Sequence, residues 1–138
     1  MRKYVPAFAV ALTGLLTAGG ASAQSSFTQT CSNYGFAYSG VYPVLEATCL
    51  KNSGDTKQTS LTLNGIVTVN GVLTDLNSSV PSNFQINCGS IKIAADGPYV
   101  TLSAYCINDK RQFNETSILL NNINNIDGDL VQGKAAQK

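Results

Sequence analysis

The sequence predicts an all-β protein made of two copies of one unit, and three observations carry this. Sliding the chain against itself by 57 residues, the distance from Cys31 to Cys88, aligns Phe27 with Phe84, Leu45 with Leu102, Cys49 with Cys106, Asn64 with Asn121, Ile66 with Ile123 and Gly71 with Gly128, with no gap. Within each copy the residues alternate with a period of two rather than with a helical period. The dipeptides Asn70-Gly71 and Asp127-Gly128 stand at equivalent places and favour the tight turn of a hairpin. The duplication covers roughly residues 26 to 132, with repeats at 26–76 and 83–132.

Taken from the N-terminus, Arg2 and Lys3 precede an apolar run from Val5 to Ala18, and Ala21-Ser22-Ala23 supplies a small-residue cleavage site. Residues 1–23 therefore read as a secretory signal peptide, cut before Gln24. A membrane-spanning helix needs about 20 apolar residues; this run is shorter and contains Pro6, so membrane insertion is not expected. The expected location is secreted and extracellular, with one domain over residues 24–132.

Leu45, Ala47 and Cys49 share one face of a predicted strand and Glu46 and Thr48 the other, and Leu102, Ala104 and Cys106 repeat the pattern. Ser60 to Leu63 and Ser117 to Leu120 supply a further strand in each unit. Between the units lies NSSVPSN, residues 77–83, a turn-rich connector in which Pro81 has no N–H for a strand ladder. A short connector between equivalent halves is also a place where two chains can exchange halves, so a monomer and a half-exchanged dimer are both open. The segment 133–138 has no apolar residue larger than Ala and predicts a disordered tail.

The four cysteines of a short secreted chain read as two disulfides. Three pairings exist in principle. Cys31 and Cys49 have the same separation as Cys88 and Cys106, which favours bonding within each unit. A zinc site is disfavoured because there is no CxxC spacing and no His. Without Arg2 and Lys3 the 9 basic residues become 7 against 8 acidic ones, a net charge of −1. Such a surface offers nothing to nucleic acid or anionic lipid and suits a neutral partner.

The absence of His also excludes Ser-His-Asp and Cys-His hydrolases. The carboxylate pairs Asp127 with Asp129 and Glu46 with Glu115 carry no motif of a glycosidase, so enzyme activity is not expected. The stretch NNIDGD has too few carboxylates for a calcium loop and suits an ordinary turn, and no metal or other cofactor is expected. Beside the repeated turns lie many Asn, Gln, Ser and Thr residues. Amide side chains pair well with neighbouring sugar hydroxyls, but Asn is also a turn residue for local reasons, and composition alone favours structural turns. Asn77 and Asn114 begin sequons that carry glycans if the host glycosylates them.

The residues SFTQTC at 26–31, PSNF at 81–84, LEATC and LSAYC around the second cysteine of each unit, and NIDGDL at 125–130 resemble the cyanovirin-N homologue family. The resemblance spans both repeats. It implies a three-stranded sheet and a β-hairpin in each pseudo-symmetric repeat, with strands exchanged between the repeats. It also implies a lectin for mannose-rich glycans that works without metal. The first pocket it implies comprises Ser26, Gln29, Thr30, Lys51, Asn52, Asn125, Ile126 and Asp127, with Leu50 beside them. The second comprises Asn70, Ser82, Asn83, Asn87, Asn108 and Arg111. There Val67, Ile86 and Ile107 replace polar positions of the family site and leave hydroxyls without partners, so recognition is expected mainly at the first pocket. The alternative is a secreted structural or defence-related protein that kept the fold and lost sugar binding.

Overall fold

The computed structural model describes residues 24–133. The signal-peptide reading, and the tail reading for residues 134–138, lie outside the described residues. Each repeat begins with a short 3₁₀ turn, Phe27–Gln29 and Phe84–Ile86, that drives one phenylalanine fully into the core. Three antiparallel strands follow: β1 (Cys31–Ser39), β2 (Tyr42–Leu50) and β3 (Thr56–Thr62). A hairpin of β4 (Ile66–Val69) and β5 (Val72–Asp75) closes the repeat. The second copy supplies β6 (Cys88–Asp96), β7 (Tyr99–Ile107), β8 (Phe113–Leu120), β9 (Ile123–Ile126) and β10 (Asp129–Gln132). The two sheets run β1-β2-β3 and β6-β7-β8.

The alternation reads as expected. Leu45, Ala47 and Cys49 are buried while Glu46 is exposed, and Leu102, Ala104 and Cys106 are buried while Tyr105 is exposed. Among the first strands of the sheets, β6 alternates half-buried with exposed residues from Ile91 to Asp96, whereas the consecutive residues Tyr34 to Ala37 are all half-buried in β1. The pairing of β1 with β2 slips between Ser32 and Gly35, and β6 slips identically between Gly89 and Lys92. Asn33 and Ser90, 57 apart like the other equivalents, take positive φ at these two bulges (54° and 51°). At the hairpin turns Asn70 and Gly71 have φ of 49° and 80°, and Asp127 and Gly128 49° and 92°. Positive φ at both central residues is the requirement of a type I′ turn, which the dipeptides anticipate.

The disulfides join Cys31 to Cys49 and Cys88 to Cys106, each at a separation of 18. Both staple the first strand of a sheet to the second, in register.

The hairpins change partners. Hairpin β4–β5 of the first repeat packs on β8 of the second, and β9–β10 packs on β3 of the first. Matching hydrogen bonds tie the exchanged pieces, with Leu73 N–H donating to Thr116 Oγ1 at 3.1 Å and Leu130 N–H to Thr59 Oγ1 at 3.2 Å. The Lys57 ammonium also pairs with the Asp129 carboxylate across the second of these contacts. The core is one continuous cluster of equivalents: Phe27 with Phe84, Leu45 with Leu102, Leu63 with Leu120, Leu73 with Leu130. Each of these buried side chains contributes about 1.5–3 kcal/mol. Neither repeat holds a complete core of its own, so the two halves form one domain.

The connector folds back on the first repeat. Gly65 N–H donates to Val80 O at 2.7 Å and Ser82 N–H to Leu63 O at 3.1 Å, with Pro81 bridged to Asn64 between them. The two flanking residues make the bonds, so the missing proline donor costs nothing here. At the other end, Gly133 departs from the disordered-tail expectation: its N–H donates to Asn122 O at 2.9 Å.

Candidate functional site

The exchange of hairpins brings three segments remote in sequence to one end of the molecule. They are the 3₁₀ turn with Ser26 to Thr30, the β2–β3 turn beginning at Leu50, and the β9–β10 turn at Asn125 to Asp127. Asn125 joins all three. Its Nδ2 donates to Thr30 Oγ1 and to Leu50 O, each at 2.9 Å, while its Oδ1 accepts from Gly128 N–H at 2.8 Å. That amide is spent on the scaffold. Asp127 Oδ1 accepts from Asn52 N–H at 2.8 Å, which pins the second turn to the third. Ser26 Oγ donates to Asn124 Oδ1, and its N–H donates to Ile123 O at 3.0 Å.

On this frame the side chains of Gln29, Thr30, Lys51, Asn52, Ile126 and Asp127 are exposed. Gln29 is held through its backbone, whose N–H closes the 3₁₀ turn on Ser26 O at 3.1 Å. At Gly128 an added Cβ would stand 2.8 Å from Lys51 Cγ, so the Lys51 side chain would have to shift. All eight residues that the resemblance assigns to the first pocket therefore converge. Asp127 is the one carboxylate among them, and its second oxygen has no partner among the described residues. It is a charged acceptor held rigid by its first oxygen.

The opposite end repeats this frame with different letters. Asn70 Oδ1 accepts from Asp109 N–H at 2.8 Å, the counterpart of the Asp127 contact with Asn52. Where Asn125 reaches Thr30, here Asn87 Nδ2 reaches Thr68 Oγ1 at 3.3 Å, with amide and hydroxyl in exchanged places. The hairpin now carries the short side chain, so the three-way clasp of Asn125 has no equivalent. Asn83 is exposed and is fixed through its N–H to Ile66 O at 3.1 Å. Ser82 is 4% exposed and its Oγ accepts from Ile66 N–H at 2.8 Å, a scaffold contact matched by Ser25 with Ile123. Asn108 Oδ1 accepts from Lys110 and Gln112 N–H, each at 2.9 Å, and so organises its own turn. Arg111 is exposed with φ 64°, where the first repeat has Gly54. Ile86, Asn87, Ile107 and Phe113 line a cleft of about 340 Å³ at this end.

The sequence profile of the CVNH domain matches residues 25–131. The chain belongs to the CVNH family. Sequence comparison with curated proteins gives no match. Among solved structures, microvirin in complex with mannobiose is 29% identical with a TM-score of 0.60, covering 79% of this chain and 99% of that one. TbCVNH from T. borchii is 25% identical with a TM-score of 0.58, covering 78% and 99%. The MoCVNH3 variant in complex with (N-GlcNAc)4 is 17% identical with a TM-score of 0.58, covering 79% and 97%. At that identity the likeness shows the fold alone.

CVNH proteins are carbohydrate-binding lectins and not enzymes. In this CVNH protein the carboxylate pairs are placed accordingly: Asp129 is ion-paired to Lys57, and Glu46 and Glu115 stand on different sheets. Among the described residues no three His, Cys, Asp or Glu side chains cluster as metal ligands. Of the sequon residues, Asn114 is exposed on β8, while Asn77 is half-buried at φ 55° with its N–H on Asp75 Oδ1 at 2.8 Å.

Sequence reasoning did not reach Asn124. The repeat offset sets Thr68 opposite Asn125 and Asn87 opposite Thr30. What the offset does not carry is direction, and only the exchanged hairpins reveal that these residues meet.

Proposed function

We propose that this CVNH protein is a secreted lectin that recognises mannose-rich glycans without metal, chiefly through the first pocket. The observation that carries the reading is the Asn125 clasp, which holds three distant segments rigid while leaving Gln29, Lys51, Asn52 and Asp127 exposed around one charged acceptor. A preorganised rim spares the ordering cost of binding. Sugar hydroxyls both donate and accept, and Asp127 supplies an acceptor of the charge-assisted kind, roughly twice as strong as a neutral one. The likeness to microvirin, solved with mannobiose, supports mannose as the ligand class.

The second end supports recognition less, because the position held by Gln29 at the first end carries Ile86 here. Calorimetric titration of mannose oligosaccharides into the mature protein tests the reading. Binding that is unchanged by EDTA, weakened by Asp127→Ala and little affected by Asn70→Ala supports it. Equal losses in the two variants refute the preference for the first pocket. Absence of binding by the unaltered protein decides for a CVNH fold that has lost sugar recognition.

A further inference from the structure

Asparagine followed by glycine occurs twice, at Asn64-Gly65 and at Asn70-Gly71, both in the first repeat. In such a pair the glycine nitrogen can close on the asparagine side-chain carbon, because the following residue has no Cβ to hinder the approach. The fold places the two pairs in opposite situations.

Gly65 N–H donates to Val80 O at 2.7 Å, so the connector holds its proton and engages its nitrogen. Gly65 is buried, and a Cβ on it would stand 2.8 and 2.9 Å from Ser78 N and O. Asn64 is half-buried and bridged to Pro81. A ring that forms here must first pull the connector away.

Asn70 is exposed at the tip of the β4–β5 hairpin. The counterpart turn shows what Gly71 lacks. Gly128 N–H donates to Asn125 Oδ1 at 2.8 Å, but Thr68 stands in the place of Asn125, and Gly71 N–H finds no acceptor among the described residues. Asp109 N–H meanwhile donates to Asn70 Oδ1 at 2.8 Å. That bond polarises the side-chain carbonyl and is aimed at the oxygen on which negative charge develops when a nucleophile adds to Cγ. An unengaged nitrogen and a polarised carbonyl thus stand on adjoining residues.

We propose that Asn70 is a site of self-modification, where the protein deamidates through a cyclic imide with water as the only co-reactant. Gly71 N bonds to Asn70 Cγ, the C–N bond of the side-chain amide breaks, and the proton of Gly71 N ends on the departing ammonia. Water then opens the imide. Attack at Cγ restores the ordinary backbone with a carboxylate at position 70, and attack at the backbone carbonyl leaves an isoaspartyl link that adds a methylene to the turn. The aspartyl product suits its surroundings. Asp127, at the same φ of 49°, already accepts from Asn52 N–H as Asn70 accepts from Asp109 N–H. The receiving turn carries Lys110 and Arg111 against Asp109, two basic residues to one acidic, so the new carboxylate brings it to neutrality. This chemistry is independent of sugar binding.

The test incubates the mature protein in mildly alkaline buffer, folded and in parallel unfolded in guanidinium chloride, and follows every asparagine by peptide mapping with mass spectrometry. In the folded protein Asn70 is expected to convert about tenfold faster than Asn64, the worth of one backbone hydrogen bond to the attacking nitrogen. In the unfolded chain the two rates should come together. Asn70→Asp, the homogeneous product, is expected to co-elute with the aspartyl fraction of aged protein on ion exchange and to keep the melting temperature of the unaltered protein. Folded protein in which Asn64 or a third asparagine converts as fast as Asn70 overturns the assignment. So does folded protein whose Asn70 stays intact over the time in which the unfolded chain converts. A lowered melting temperature of Asn70→Asp overturns the fit of the product to the turn.

Discussion

Asn125 donates to Thr30 Oγ1 at 2.9 Å across 95 residues of sequence, and at the opposite end the same two residue types meet in exchanged places, as Asn87 and Thr68. The exchange matters because an Asn on the hairpin reaches two acceptors and its own turn, whereas a Thr there accepts one bond. One end is clasped and the other is merely closed.

Asn125→Ala removes three hydrogen bonds at a half-buried position and is expected to cost about 2–3 kcal/mol of stability. Thr68→Ala removes one long contact and should cost under about 1 kcal/mol. Urea unfolding midpoints of the two variants check the order. Equal costs would show that the clasp adds nothing beyond its first bond.

Asp127 serves both frame and rim, and two substitutions separate these roles. Asp127→Asn keeps an acceptor for Asn52 N–H, as Asn70 does for Asp109 at the other end, so the melting temperature should hold while glycan affinity falls. Asp127→Ala should lower both, with affinity down about tenfold or more. Calorimetry beside thermal unfolding distinguishes them.

Arg111 occupies the left-handed region at φ 64°, where its counterpart Gly54 sits at φ 96°. A non-glycine residue pays roughly 1–2 kcal/mol for that conformation. Arg111→Gly should therefore raise stability by about 1 kcal/mol despite the added freedom of the unfolded chain, and chemical denaturation measures it.

Gly65 lies at φ 79° with Ser78 backbone N and O at 2.8 and 2.9 Å from where a Cβ would stand. Backbone cannot swing aside as a side chain can, so Gly65→Ala should cost more than about 2 kcal/mol. Gly40→Ala, at φ 63° with nothing within 4 Å, should cost about 1 kcal/mol. Comparable losses in the two would place the whole effect in φ and none in the connector's close approach.

Each disulfide closes a loop of separation 18 between paired strands. Replacing Cys31 and Cys49 together by Ala should cost about 3 kcal/mol, and the equivalent change at Cys88 and Cys106 about the same. Peptide mapping of the unreduced protein checks the pairing itself.

The sequence by itself determined what depends on neighbours along the chain. Period-two burial placed Leu45, Ala47 and Cys49 on an inner face, two dipeptides set the I′ turns, and an equal spacing of cysteines favoured pairing within each unit. The motifs spanning both repeats also carried the family. β1 left no such mark, since a strand half-buried on both faces has no alternation to show. Tertiary structure alone decided which of two nearly identical sheets each hairpin covers. Local periodicity is the same for either choice, and the outcome rests on long-range burial and on the path of the connector. From that choice follows the aim of the Asn125 amide at Thr30 and at Leu50 O. Repeats that match in sequence diverge where Ser25 N–H meets Pro98 O while the connector, following β5, brings Ser82 N–H to Leu63 O.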